Sequence, residues 1–365
     1  MFDGRSVLLY SAPMEGERLA EVGWRIRSIR TGKRMTLRTL SAASGLSVGF
    51  LSQIERGLSS FSISSLRSVC QALDVSLADV LVMSSETGNA VLVDPRHAGI
   101  TKADNRSHVS LSDSSITYRF LSTGLPSRRF EAVVGEMVSG SHSELHTHEG
   151  EEFGYVLEGE IVLTSDDQTH GLGPGDSYHL MGSTPHTWDA GSDGAKVLWV
   201  QTARYVRALS LLGKEAVPVG VLPPPLESGD RPAMVNLSQN AVRYRFLTGS
   251  LPGAQVRVFV GEIPAEGIEE PTLFEGEEFG YMLKGRIRLT VGSDSYPLGV
   301  GDCYHVPAAS PRVFRVDGDS AAQLLWVQMG AGSKEAEAVW SEALENAMSE
   351  PQHSTTTNKP RQRRS

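Results

Sequence analysis

The chain has 365 residues but only two cysteines, Cys70 and Cys303, far apart in sequence. That leaves no material for a disulfide framework or a cysteine-built zinc site, and a reducing cytoplasm is the expected compartment. Long apolar runs are also missing. None approaches the ~18 residues of a membrane span. Val7–Tyr10 is too short for a signal-peptide core and no small-residue cleavage site follows it. No membrane partner is therefore expected. Positive charge is scarce overall, since the net charge is −9, so the whole molecule is not a basic nucleic-acid coat.

What is present is unevenly placed. Apolar residues make up 40% and charged residues 21%, ordinary for a globular protein, and the length suits two or three domains. Between Ala20 and Val82 stand eight Lys/Arg (Arg25, Arg27, Arg30, Lys33, Arg34, Arg38, Arg56, Arg67) against four acids, giving +4 and leaving −13 for the remainder. A small basic module is thus joined to an acidic body.

Residues 1–20 lack clear periodicity and read as a flexible arm. Residues 21–83 read as about five short helices. Apolar residues recur at helical spacing from Val22, Ile26 and Ile29 to Leu77, Val80 and Leu81. Thr36, Ser47 and Ser62 are placed as helix-starting caps. Residues 84–106 read as a linker. From residue 107 the texture becomes short Val-, Ile-, Tyr- and Phe-rich runs separated by Gly, Pro, Asp and Ser, the spacing of an all-β sandwich or barrel.

The β-region is duplicated. Tyr118–Leu121 (YRFL) returns at Tyr244–Leu247, and Glu149–Tyr155 (EGEEFGY) at Glu275–Tyr281. Gly175–Asp176 and Tyr178–His179 return at Gly301–Asp302 and Tyr304–His305, all at an offset of 126. Trp199–Gln201 returns at Trp326–Gln328, at 127. The copies span 107–216 and 233–330, joined by a proline-rich linker at 217–232. Residues 331–365 read as an amphipathic helix and a disordered tail.

In Thr36–Gly57, Leu37, Leu40, Leu46, Val48, Leu51 and Ile54 are expected inward, with Gly45 in the tight turn between two helices. The second helix then offers Ser47, Gly49, Phe50, Ser52, Gln53 and Arg56 outward. Such a surface has small residues for close approach to a major groove and polar tips for base edges. Gln53 suits a bidentate pair with adenine. Ser47, Ser52 and Thr36 can reach phosphates, and Arg38 and Arg56 suit backbone contacts. This stretch resembles the lambda-repressor-like (XRE) helix-turn-helix family over residues 21–83, most clearly in GLSVGFLSQIERG. Ser41 and Ser44 stand where that family usually has alanine.

The first β-copy reads Gly140-x5-His146-x-His148-x3-Glu152-x6-Gly159, then Gly173-Pro174-Gly175-Asp176 and Pro185-His186. His146 and His148, two apart, share a face of a strand. Three imidazoles and one carboxylate suit one divalent ion: Fe, Mn, Ni, Cu or Zn. The pattern resembles the cupin family, whose metal ligands carry over to His146, His148, Glu152 and His186. Met181 and Ser183 depart from its second motif. His142, His170 and His179 read as loop or surface residues, with His179 at the barrel mouth.

In the second copy those four positions become Thr272, Phe274, Glu278 and Arg312. One carboxylate cannot hold a transition metal, so this copy is expected to be metal-free. It is either purely structural, with Glu278 and Arg312 as an internal ion pair filling the vacated site, or it binds an anionic small molecule in the barrel through Arg312, Arg245 or Arg257, with Glu278 counted among the residues of that candidate ligand site.

The expected architecture is multidomain: an all-α helix-turn-helix domain, then two all-β cupin (double-stranded β-helix, or jelly-roll) domains. The resemblances imply a transcriptional regulator that binds a double-stranded DNA operator as a homodimer and senses a small-molecule effector with its β-body. The runner-up is a metal-dependent cupin oxygenase resembling phosphonate oxygenases. Against it stands the lack of an obvious acid/base group, Tyr118, Tyr155 and Tyr178 being candidates only by proximity in sequence; no catalytic residue is assigned.

Overall fold

The structure, a computed structural model, describes residues 15–81, 99–202, 226–227, 235–236 and 242–330, apart from residues 60, 62, 76, 105, 107, 112–114, 123–127, 144, 146, 149, 166–167, 249–253, 266–267, 273, 275 and 309. The arm up to residue 14, the tail from residue 331, the Ser62 cap and most of both linkers lie outside the described residues.

Five helices form the head: α1 (Glu15–Gly32), α2 (Leu37–Ser44), α3 (Val48–Glu55), α4 (Ile63–Leu73) and α5 (Leu77–Leu81). Helix α1 starts at Glu15, inside the stretch expected to be a loose arm. Its first turn is acidic, which suits the positive end of a helix, but it carries too few apolar residues for periodicity to reveal it. Thr36 caps α2 by accepting from the Thr39 amide at 3.0 Å, and Ser47 caps α3 by accepting from the Phe50 amide at 3.2 Å. Between them Gly45 takes φ +74°, which turns the chain sharply enough for α3 to cross α2. Ile26, Leu40, Leu51, Leu66, Val69 and Leu73 bury completely at the centre. Val48, expected inward, is exposed at the first turn of α3.

The first barrel contains β2 to β8 and the second β10 to β19, with β1 and β9 exchanged between them. The strands are β1 (Gly99–Thr101), β2 (His108–Leu111), β3 (Ile116–Phe120), β4 (Glu131–Met137), β5 (Glu151–Ser165), β6 (Gln168–Leu172), β7 (Ser177–Met181) and β8 (His186–Gln201). There follow β9 (Leu226–Glu227), β10 (Val235–Asn236), β11 (Arg243–Phe246), β12 (Val256–Ile263), β13 (Ile268–Thr272), β14 (Glu277–Lys284), β15 (Arg286–Val291), β16 (Asp294–Gly299), β17 (Cys303–Val306), β18 (Arg312–Val316) and β19 (Ala322–Met329). The principal sheets run β2-β3-β4-β8-β5-β7-β9 and β10-β11-β12-β19-β14-β17-β1, the same order twice.

The outermost strands cross over. Ile100 pairs with Tyr304 of the second barrel, and Leu226 pairs with Tyr178 of the first. Each repeat thus lends its leading strand to the other. Both leading strands fall inside stretches expected to be linkers, because two or three residues carry no readable alternation. Period-two burial does the rest. One face of each sheet fills its own barrel. The other packs Phe130, Val134, Phe153, Tyr155 and Leu198 against Val258, Phe279, Tyr281, Leu325 and Val327 as one buried cluster between the barrels. No helix among the described residues is long and apolar enough to cross a membrane.

Candidate nucleic-acid interface and metal centre

The head presents the surface expected of it. Thr36, Arg38, Ser47, Gly49, Gln53 and Arg56 are exposed and Ser52 is half-buried. Phe50 is also half-buried and packs on the head's apolar core, so its ring supports α3 from the side. Thr36 and Ser47 accept with their oxygens as caps, and Thr36 Oγ1 also shares a 2.8 Å hydrogen bond with the Thr39 hydroxyl. Gly49 is the second residue of α3, where glycine is a poorer helix former than alanine, by less than the about 0.5–1 kcal/mol of a helix interior. A Cβ there would meet nothing within 4 Å, so the fold itself does not require the glycine. Arg30, counted above among the basic charges, is turned inward. Its guanidinium grips the buried Glu55 through Nε at 2.5 Å and Nη2 at 2.8 Å, and donates to Met35 O at 2.7 Å.

In the first barrel His148, Glu152 and His186 converge, with their ligating atoms all within 4.8 Å of one another. His146 lies outside the described residues. His148 Nε2 is 3.0 Å from Glu152 Oε2, and His186 Nε2 is 3.7 Å from Glu152 Oε1. Thr184 O lies 2.7 Å from His186 Nδ1. A carbonyl only accepts, so Nδ1 carries a hydrogen and the ring turns Nε2 toward the Glu152 carboxylate. A cation between them satisfies both. Behind the cluster, the Tyr178 hydroxyl donates to Glu152 Oε1 at 2.7 Å, Trp199 donates to Tyr178 Oη at 2.8 Å, and Gln201 donates to Glu152 Oε2. Burial alone would raise the Glu152 carboxyl. The His148 hydrogen bond and the charges of His186, His148 and Arg67 outweigh it and hold the group well below the usual carboxylate range. Burial and the neighbouring Glu152 push the Tyr178 hydroxyl well above its ordinary value, so it stays a donor. Two imidazoles and an ionised carboxylate, with their outer partners in place, fit a divalent metal.

The second barrel repeats the frame without the imidazoles. Trp326 donates to Tyr304, Tyr304 to Glu278 at 2.7 Å, and Gln328 to Glu278 at 2.7 Å. Where His186 would stand, Arg312 grips Glu278 through Nε at 2.6 Å and through Nη2, and its Nη1 donates to Ser310 O at 2.9 Å. Where His148 would stand, the Phe274 ring is buried. The arginines expected as alternative anion contacts lie on different faces. Arg257 shares a cross-strand row with Gln328 and Glu278. Arg245 instead faces the first barrel, 3.5 Å from the Tyr155 hydroxyl. All three nitrogens of Arg312 are engaged within the barrel, by Glu278 and Ser310 O.

The repeated EGEEFGY motif divides its paired acids by alternation. Glu152 and Glu278 point into their own barrels. Glu151 reaches the other barrel and accepts from the amides of Gln255 at 2.7 Å and Val256 at 3.1 Å. Glu277 accepts from the Arg129 amide at 2.8 Å in return. His179 Nε2 is 3.1 Å from Glu151 and His305 Nε2 is 2.7 Å from Glu277. His179 is therefore a buried inter-barrel residue, not one lining the mouth; its strand position alone could have shown which face it takes. The motif glycine is required by close approach. A Cβ at Gly154 would lie 2.2 Å from the Tyr178 ring, and one at Gly280 2.1 Å from Tyr304.

Residues 26–80 match the helix-turn-helix family, and residues 133–201 and 259–328 each match the cupin domain family. The chain is a helix-turn-helix domain joined to two cupin domains. It is similar to the HTH-type transcriptional regulator PuuR of Escherichia coli K12 and of Shigella flexneri, with 29% identity over 182 residues, covering 50% of this chain and 93% of the relative. In fold it is similar to oxalate decarboxylase (TM-score 0.50, 16% identity, 65% of this chain and 79% of that one). It is likewise similar to the E. coli protein Ylba (TM-score 0.53, 15% identity, 67% and 95%). At these identities the two structures speak for the cupin fold alone.

Proposed function

We propose that this protein is a sequence-specific, DNA-binding transcriptional regulator whose cupin body senses a small molecule, with one divalent metal held in cupin 1 by His146, His148, Glu152 and His186. The observation that carries the reading is Gly49. It is a poorer helix former than alanine, no neighbour among the described residues demands it, and it lies exposed between Ser47 and Gln53. Close approach to a partner surface accounts for it. The similarity to PuuR, a transcriptional regulator by name, supports the same reading. A metal in cupin 1 would supply a positive centre for binding or polarising an oxygen-bearing ligand. The chain's own part is to fix the two imidazoles and keep Glu152 ionised. Two copies, reading half-sites one helical turn (~34 Å) apart, form the DNA-bound state. The cytoplasm is the compartment in which such a regulator works.

The deciding experiment is a gel shift of the full chain on its own upstream DNA across a salt series. Affinity should fall steeply as salt rises. Gln53→Ala should cost about 1–3 kcal/mol and relax preference at one base of each half-site. Arg38→Ala should weaken all sequences alike and flatten the salt slope by about one. Indifference to both changes would remove α3 from the groove. Gly49→Ala separates folding from binding. It should leave the head as stable or stabilise it by up to about 0.5 kcal/mol in chemical denaturation and yet weaken the DNA complex. A stabilised head that binds DNA equally well would refute the close-approach argument.

A further inference from the structure

Strands β5 and β8 pair along almost their whole length and bend together, so both ends of their ladder return to one place. The first pair is Glu152 with Gln201, and the last is Ser165 with His186. The register shifts twice between Val156 and Ile161, and His186 Nε2 comes to lie 3.7 Å from Glu152 Oε1. Along the end of β5, Ile161, Leu163 and Ser165 are buried while Val162 is exposed, so Ser165 turns into the barrel. Directly opposed residues carry their Cβ atoms about 4.5–5.5 Å apart, which sets Ser165 beside the His186 side chain. Ser165 is 1% exposed, and its Oγ finds no hydrogen-bond partner among the described residues. A hydroxyl withdrawn from water without a partner works against the fold. The second barrel avoids that cost. There the offset of 126 puts Val291, buried opposite Arg312. Valine suits a buried strand position. Serine stands at this one only in the barrel that keeps the imidazoles.

We propose that Ser165 is a ligand-contacting, specificity-determining residue of cupin 1, its hydroxyl donating to a small molecule coordinated at the His148–Glu152–His186 cluster. The hydroxyl adjoins a coordinating imidazole directly. The oxygen it reaches and the oxygen on the metal therefore belong to neighbouring atoms of the ligand. The class that fits is a compact molecule with vicinal oxygens, such as a 2-hydroxy acid. An analogue that lacks the second oxygen leaves the buried hydroxyl unpaired and is discriminated against for that reason. The divalent ion offsets the charge of Glu152, which would otherwise repel an acid, so binding requires the metal. This assignment deepens the sensor reading above and rests on its metal.

The test uses the full chain loaded with Mn²⁺ and titrated by calorimetry with glycolate, and with acetate as the analogue lacking the second oxygen. Glycolate should bind to the loaded chain and not to the metal-free one. Ser165→Ala should weaken glycolate roughly 2- to 10-fold and acetate much less, while Ser165→Thr keeps the hydroxyl and the affinity. Two further readouts separate this from a structural role. Metal content should be unchanged in Ser165→Ala, since the hydroxyl is not a ligand. The metal-free Ser165→Ala chain should melt no lower than the original, because it loses only an unpartnered group. Equal glycolate affinity in Ser165→Ala with the metal in place would overturn the proposal while sparing the metal reading. A lowered melting temperature of the metal-free variant, no glycolate binding to the loaded chain, or equal binding without metal would do the same. A chain that takes up no Mn²⁺ fails at the metal reading itself and takes the proposal with it.

Discussion

Arg312→Met is expected to destabilise the second barrel by about 3–5 kcal/mol, the largest loss from any single change considered. The reason is the carboxylate left behind. Glu278 is 2% exposed and lies within a shell of Tyr304, Gln328 and Arg312. Removing the guanidinium leaves the charge buried, with two neutral donors to hold it. Burial alone would lower the pKa of Arg312, but the charge and hydrogen bond of Glu278 prevail and raise it, so the guanidinium stays charged. A double variant, Arg312→Met with Glu278→Leu, should recover most of the loss, because two apolar groups need no partners. Thermal unfolding of the full chain reads both. A single variant that melts within about 1 °C of the original would mean that Glu278 takes up a proton or that water replaces the guanidinium.

In cupin 1 the same position carries an imidazole, and the second large effect follows from that difference. Protein purified without chelator should hold about one equivalent of divalent metal per chain. His148→Ala and Glu152→Gln should each lower metal affinity by more than about 100-fold, and Tyr178→Phe by about 10- to 100-fold. Competition against a coloured chelator gives the numbers. Two equivalents per chain would contradict the account of the second barrel, and full metal content in His148→Ala would contradict that of the first. The metal-free state has its own pH signature. The Glu152 carboxyl lies lower in the folded chain than in the unfolded one, so its contribution is complete above the unfolded value of about 4.3 and fades as pH falls through the lower folded value. Glu152→Gln should remove that acid-side loss from the unfolding curve of cupin 1.

Much of this architecture was open to reading because its signals are long or repeated. Helical spacing from Val22 to Leu81 and an offset of 126 held over some seventy residues do not arise from short local accidents. The convergence of His148, Glu152 and His186 was legible because HxHxxxE fixes spacing and side-chain chemistry together. What stayed hidden is contact between distant segments. Nothing local tells that Glu151 serves the neighbouring barrel while Glu152 serves its own. Arg30 and Glu55 are separated by 25 residues and look like two surface charges until the head folds. Arg245 and Arg257 are both arginines on β-strands, yet alternation within the sheet sends one to the inter-barrel face and the other to the row of Glu278.

The exchanged strands β1 and β9 bear on the molecule's ancestry and on its dissection. Two identical single-barrel chains lending each other a leading strand would form a symmetric swapped dimer. Tandem fusion of such a dimer yields this topology without redesign. Cutting the gene between the barrels would therefore release fragments with raw sheet edges at β7 and β17, prone to stick to each other or to aggregate.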